Sequence, residues 1–128
     1  MTRKTILIVD DDRDLLLGLG IRLRSSGYHV IISLDAVGAV SVARRQEPDL
    51  ILLDLGLPGS DGFAVLERLQ RIGLSHVPVI VLTARERSYE ERALRAGAVA
   101  FFQKPADNDE LMAAIADALQ ESGGRVCG

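Results

Sequence analysis

Hydrophobic residues fall along this chain in five short blocks: Ile6–Val9, Tyr28–Ile32, Leu50–Leu53, Val79–Leu82 and Val99–Phe102. Three of them are unbroken runs of Ile, Val and Leu, the pattern of strands covered on both faces, as in a parallel sheet. The stretches between them have helical spacing. Asp12 stands where a helix cap belongs, ahead of Leu16, Leu19 and Leu23 on one face. Asp35 opens a segment over Ala36–Gln46 that Pro48 closes, and Val65, Leu69 and Ile72 recur at i, i+4 and i+7. Glu90–Ala96 reads as a shorter, charged helix with Gly97 as its C-cap. The last helix opens on Asp107 and Glu110 and continues through Leu111, Ile115 and Leu119. Gly18 and Gly20 weaken the first helix, since glycine is a poor helix former.

This alternation predicts an α/β fold: a doubly wound, five-stranded parallel sheet with right-handed crossovers and helices on both faces. Ligands of such sheets sit at the carboxyl ends of the strands, near a switch in strand order.

Composition narrows the class. The 128 residues suit one domain, expected over residues 1–121, with 122–128 as a flexible tail or the start of a linker. Hydrophobic residues make up 48% and aromatics only 4%, so the core must be aliphatic. A net charge of −3 without a long basic run argues against direct nucleic-acid binding by this segment. The single cysteine, Cys127, cannot form an internal disulfide, which points to a reducing, cytoplasmic setting. No apolar run approaches the roughly 20 residues of a membrane span. The basic start, Met1 to Thr5, precedes only a four-residue apolar run, too short for a secretory signal.

The residues that follow the strands carry the chemistry. Val9 is followed by Asp10-Asp11-Asp12, Leu53 by Asp54, Leu82 by Thr83-Ala84, and Phe102 by Gln103-Lys104-Pro105. Each has an ordinary reading alone: a solvated turn, a loop acid, a helix-start hydroxyl, an exposed lysine. Acid, acid, hydroxyl and amine at four converging strand ends are hard to attribute to chance. Clustered carboxylates repel one another and call for a cation. An all-oxygen set favours a hard ion such as Mg²⁺, or Mn²⁺, which also binds phosphate oxygens. A carboxylate can attack phosphorus to give an aspartyl phosphate. Lys104 would then offset the added charge, and Thr83 would donate a hydrogen bond to it. Asp12, at the start of the helix, takes the capping role.

As a set, Ile6-Leu7-Ile8-Val9-Asp10-Asp11, Pro48 to Leu55, Leu57-Pro58-Gly59-Ser60-Asp61-Gly62, Val79 to Ala84, Ala96-Gly97-Ala98 and Lys104-Pro105 resemble the receiver domain of two-component response regulators, from Ile6 to about Leu119. The resemblance implies a flavodoxin-like (βα)5 sheet with strand order 2-1-3-4-5, and a regulatory phospho-acceptor domain whose catalysis is limited to its own phosphoryl transfer and autodephosphorylation. It implies Asp54 as phospho-acceptor and Asp10, Asp11, Asp54 and the Gly56 backbone carbonyl as the Mg²⁺ site, with Asp11 binding directly and Asp10 mainly through water. It further implies Thr83 as switch hydroxyl, Phe101 as switch aromatic, Lys104 as phosphate partner and a cis bond at Pro105. Ala84, Gly56 and Arg85 would govern access to the phosphoryl group. The implied partners are a sensor histidine kinase or phosphotransfer protein, and a second copy of the chain on phosphorylation. The implied output surface is the fourth helix, fifth strand and fifth helix. Phe101 departs from the more frequent tyrosine, and Ala106 replaces a larger apolar residue.

Three other readings compete. A haloacid-dehalogenase-type phosphatase would use Asp10 as nucleophile, but it needs an acidic metal pair on a strand beyond the lysine, where this chain has Asp107 and Asp109 at a helix start. A degenerate receiver acting as a pure interaction module does not account for the intact acid, hydroxyl and lysine set. A flavodoxin-type carrier needs a phosphate-cradling loop after the first strand, where three aspartates would repel the phosphate. His29 and His76 read as surface residues, Tyr28 and Phe63 as packing, and Arg44 and Arg45 as a solvated helix face. The sequence is compatible with a stand-alone receiver and with the N-terminal part of a longer regulator.

Overall fold

The computed structural model describes residues 3–57 and 61–122. The Pro58–Ser60 part of the loop motif and residues 123–128 of the expected tail therefore lie outside the described residues.

Five strands, β1 (Thr5–Val9), β2 (His29–Ser33), β3 (Leu50–Leu53), β4 (Val79–Thr83) and β5 (Ala100–Gln103), alternate with five helices: α1 (Arg13–Ser25), α2 (Ala36–Gln46), α3 (Gly62–Arg71), α4 (Glu90–Arg95) and α5 (Asn108–Ser122). All strand pairs are parallel, in the order β2-β1-β3-β4-β5. Aliphatic side chains fill both sides of the sheet. One side packs Leu7, Val9, Ile51, Leu53, Val79 and Val81 against α2, α3 and α4. The other packs Ile6, Ile8, Leu50, Leu52, Ile80 and Leu82 against α1 and α5. Burial on both faces is why these strands read as continuous rather than alternating apolar runs.

Four helices start at an aspartate. Asp12 Oδ1 accepts from the N–H groups of Asp14 and Leu15, Asp35 Oδ1 from Gly38, and Asp61 Oδ1 from Phe63. Each satisfies backbone donors that the first turn leaves free. α5 begins in the same way, with Asp107 Oδ1 accepting from the Glu110 N–H at 2.9 Å.

The departures from the sequence expectation are local. Thr5 joins β1 because its N–H donates to Asp49 Oδ2 at 2.7 Å, which anchors the strand start. Tyr28 falls outside β2 because its N–H returns to the Leu23 carbonyl and closes the α1 terminus. Val99 is 55% exposed and precedes β5. A 3₁₀ turn at Arg87–Tyr89 leads into α4. α2 ends at Glu47 in the left-handed conformation (φ 49°), one residue before Pro48. α5 runs through Ser122, one residue into the stretch expected as tail.

Candidate functional site

The site follows from sheet order. β1 and β3 are neighbours at the centre, and the chain winds outward from them in opposite directions, to β2 and to β4 and β5. Val9 pairs in register with Leu53, so the next residues, Asp10 and Asp54, leave the sheet side by side. The Asp54 N–H donates to the Val9 carbonyl at 3.0 Å, which extends the pairing into the site. Thr83 ends β4 opposite Gln103, and the Lys104 N–H donates to the Thr83 carbonyl at 2.7 Å. Two carboxylates, a hydroxyl and an amine therefore stand together at the carboxyl end of the sheet.

Carboxylate oxygens of Asp10, Asp11 and Asp54 lie within 4.8 Å of one another. Asp10 and Asp54 are buried, whereas Asp11 is exposed. Lys104 Nζ is 2.8 Å from Asp10 Oδ2 and 3.7 Å from Asp54 Oδ2. Asp10 Oδ1 accepts from the Asp12 N–H at 2.9 Å, so protein donors occupy both Asp10 oxygens. Burial pushes the Asp10 carboxyl above the ordinary carboxylate value, against the pull of the Lys104 hydrogen bond, and the Asp54 charge adds to the rise. Burial draws Lys104 down, but the Asp10 hydrogen bond and the charges of Asp54 and Asp10 outweigh it, so its ammonium is held above the usual range.

Three carboxylates face one ammonium here, which leaves the cluster with excess negative charge. The donor set is all oxygen, and its exposed member, Asp11, opens it to solvent. A hard divalent cation fits this chemistry.

The remaining expected residues sort by distance from this cluster. The Gly56 N–H donates to Asp54 Oδ1 at 3.1 Å, and a side chain at Gly56 would begin 3.9 Å from that oxygen. Thr83 is fully buried, and its Oγ1 accepts from the Arg85 N–H at 3.2 Å. Ala84 is exposed. The Lys104–Pro105 peptide bond is cis. The Arg85 guanidinium lies against Asp61 and the Tyr89 ring. Phe101 is buried in the core on the α2, α3 and α4 side of the sheet, opposite Val81 of β4.

A sequence profile described as the response regulator receiver domain matches residues 6–116. The chain belongs to this family. Receiver relatives include the transcriptional regulatory protein KdpE of Mycobacterium tuberculosis (strain CDC 1551 / Oshkosh), 39% identical over 118 residues that cover 91% of this chain and 51% of KdpE. The phosphate regulon regulatory protein PhoB of Pseudomonas aeruginosa is 36% identical over 125 residues, 96% of this chain and 55% of PhoB. The chain thus spans about half the length of these relatives. Among solved structures, a CheY-like receiver domain protein from Methanospirillum hungatei JF-1 superposes with a TM-score of 0.88 at 29% identity, covering 95% of this chain and 98% of that one. The family assignment and the β2-β1-β3-β4-β5 order fit the receiver expectation and give no support to the haloacid-dehalogenase reading. Asp107, which that reading would need near a metal, caps α5 instead.

Two features of this receiver escaped the sequence reading. Asp61 carries both a helix cap and a contact to Arg85, and the signal for the cap was present as an aspartate ahead of an amphipathic run. Gly62 packs so closely on the Asp54 carbonyl and the Leu55 Cα that a Cβ would lie 2.6 Å from each, a constraint that no local pattern reveals.

Proposed function

We propose that this receiver domain takes a phosphoryl group on Asp54 from a phosphohistidine of a sensor kinase or phosphotransfer protein, in a Mg²⁺-dependent reaction, and passes the modification to a partner surface. The observation that carries the reading is the side-by-side exit of Asp10 and Asp54 from adjacent, in-register strands, with Lys104 between them.

Asp54 Oδ1 is fixed by the Gly56 N–H, which leaves Oδ2 to attack phosphorus as the donor's bond to phosphorus breaks. The product carries about −1.5 to −2 charge. Lys104, already within 3.7 Å of Oδ2, offsets part of it. Asp11 and Asp54 with the Gly56 carbonyl would hold Mg²⁺, and Asp10, whose two oxygens are engaged, would act through water. The ion would supply charge neutralisation on the phosphoryl oxygens. Positioning and electrostatics do most of the work in such transfers.

Thr83 supports a readout step. Its hydroxyl is free to donate, because it serves as acceptor for the Arg85 N–H. A phosphoryl oxygen would draw it outward, and Phe101, on the next strand and the same side of the sheet, would be held inward beneath it. The output surface is then α4, β5 and α5, where a second copy can also dock. KdpE and PhoB are named as transcriptional regulators, and by analogy that surface would address an output partner in the cytoplasm.

The test is intact-mass spectrometry with acetyl phosphate. A single added phosphoryl group that needs Mg²⁺ and is abolished by EDTA is expected. Equal labelling of the wild type and Asp54→Asn would refute the assignment.

A further inference from the structure

Arg85 belongs to a closed circuit of contacts at the edge of the acidic site. Its guanidinium lies 3.9 Å from Asp61 Oδ2 and 5.3 Å from the centre of the Tyr89 ring. Tyr89 packs against Phe63, with ring centres 6.3 Å apart. The Phe63 N–H returns to Asp61 Oδ1 at 2.9 Å. The two oxygens of Asp61 therefore divide two tasks: Oδ1 caps α3 and Oδ2 holds Arg85.

The circuit adjoins Asp54. Gly62, next to Asp61, packs on the Asp54 carbonyl, and the Arg85 N–H is hydrogen-bonded to Thr83 Oγ1. Ala84, the residue before Arg85, is small, and Gly56 has no side chain to cover Asp54 Oδ1. The Asp61–Arg85 contact is long, and the two side chains are 43% and 34% exposed. An exposed pair of this kind is worth little and is easily exchanged for a stronger one. A phosphoryl group offers more charge and a geometry that a guanidinium can grip with two donors.

We propose that Asp61 and Tyr89 are positioning residues that hold the Arg85 guanidinium on Asp61, beside the Asp54 centre, and that a phosphoryl group arriving at Asp54 draws the guanidinium off Asp61. The inference rests on Asp54 being the phosphoryl acceptor. Arg85 then assists capture of an anionic donor, and Asp61 restrains it. Release of Arg85 also loosens Tyr89 at the start of α4, a route to that helix separate from Thr83 and Phe101.

Asparagine at position 61 keeps the capping oxygen and removes the charge, and it caps helices as well as aspartate does. The experiment follows the rate of acetyl phosphate labelling by quenched intact-mass spectrometry, in saturating Mg²⁺, for the wild type, Asp61→Asn, Arg85→Ala and the double variant. Asp61→Asn should label roughly 1.5- to 5-fold faster, the span that corresponds to an exposed ion pair. The gain should shrink at 1 M salt, where screening acts within about 3 Å. In the Arg85→Ala background, Asp61→Asn should change nothing. Tyr89→Leu, which leaves the cap intact, should also speed labelling only when Arg85 is present. Equal acceleration with and without Arg85, or none with it, overturns the proposal while Asp54 labelling of the wild type stands. A wild-type chain that takes no label overturns this inference and the function beneath it together.

Discussion

Two glycine-to-alanine substitutions should move stability in opposite directions, and the difference measures how tightly the backbone after Asp54 is held. A Cβ on Gly62 would lie 2.6 Å from the Asp54 carbonyl oxygen and 2.6 Å from the Leu55 Cα, about 0.8 Å short of the 3.4 Å at which ordinary contact begins. Both opposing atoms are backbone, so no rotamer change relieves the clash. Overpacking of this kind costs about 1–3 kcal/mol. The lower chain entropy of unfolded alanine returns roughly 0.4–1 kcal/mol. Gly62→Ala should therefore lose about 1–2 kcal/mol net, seen as a urea midpoint lowered by on the order of 0.5–1 M at unchanged slope. Gly18, inside α1, has open space where its Cβ would go. Gly18→Ala should gain about 0.5–1 kcal/mol from helix propensity alone. Gly62→Ala should also slow phosphorylation at least tenfold, because displacement of a reacting group by ~1 Å can cost ~100-fold. A Gly62→Ala protein as stable as the wild type would show that the loop yields freely, and the account of how Asp54 is positioned would fail with it.

The other expectations concern charge and readout. The Asp10 carboxyl is raised above its unfolded value, so its contribution to stability is present below the ordinary Asp pKa and is lost as pH rises through the folded value. In EDTA, Asp10→Asn should accordingly exceed the wild type in urea midpoint at pH 7 and lose that lead toward pH 4; a less stable variant at pH 7 would contradict the sign. Lys104→Met leaves Asp10 and Asp54 without their shared cation and should cost about 1–3 kcal/mol in EDTA, less than a fully buried pair because Asp11 opens the site to water. Calorimetric melts should show Mg²⁺ stabilising this variant more than the wild type, and an equal or smaller gain would argue against a shared charge balance. Phe101 is already packed inward, so beryllofluoride should shift NMR signals of Thr83 and α4 while Phe101 stays buried. Thr83→Ala should lose the α4 shifts, and identical α4 shifts in this variant would show that the signal bypasses the hydroxyl.

The fold was legible because both sheet faces are covered by helices, which turns β1, β3 and β4 into unbroken aliphatic runs. Asp10, Asp11, Asp54 and Thr83 were legible because each follows or ends such a run, and Lys104 because it stands just beyond the fifth apolar block. Tyr28 and Val99 misled for the same reason in reverse. They extend apolar runs, yet Tyr28 closes the turn after α1 and Val99 faces solvent, and neither a return hydrogen bond nor exposure is written in local pattern. The Asp61–Arg85–Tyr89–Phe63 circuit was not legible because it joins two loops that become neighbours only once β3 and β4 pair. Phe101 was placed on the correct strand, but its burial on the α2, α3 and α4 side follows from its pairing opposite Val81, a register visible only in three dimensions.

The central claim is that the acyl phosphate forms on Asp54. Borohydride reduction of the acetyl-phosphate-treated chain converts an aspartyl phosphate to homoserine, and peptide sequencing by mass spectrometry locates the converted residue. The account predicts homoserine at position 54, dependent on Mg²⁺ and absent from Asp54→Asn. Conversion at Asp10 or Asp11 with Asp54 untouched would contradict it.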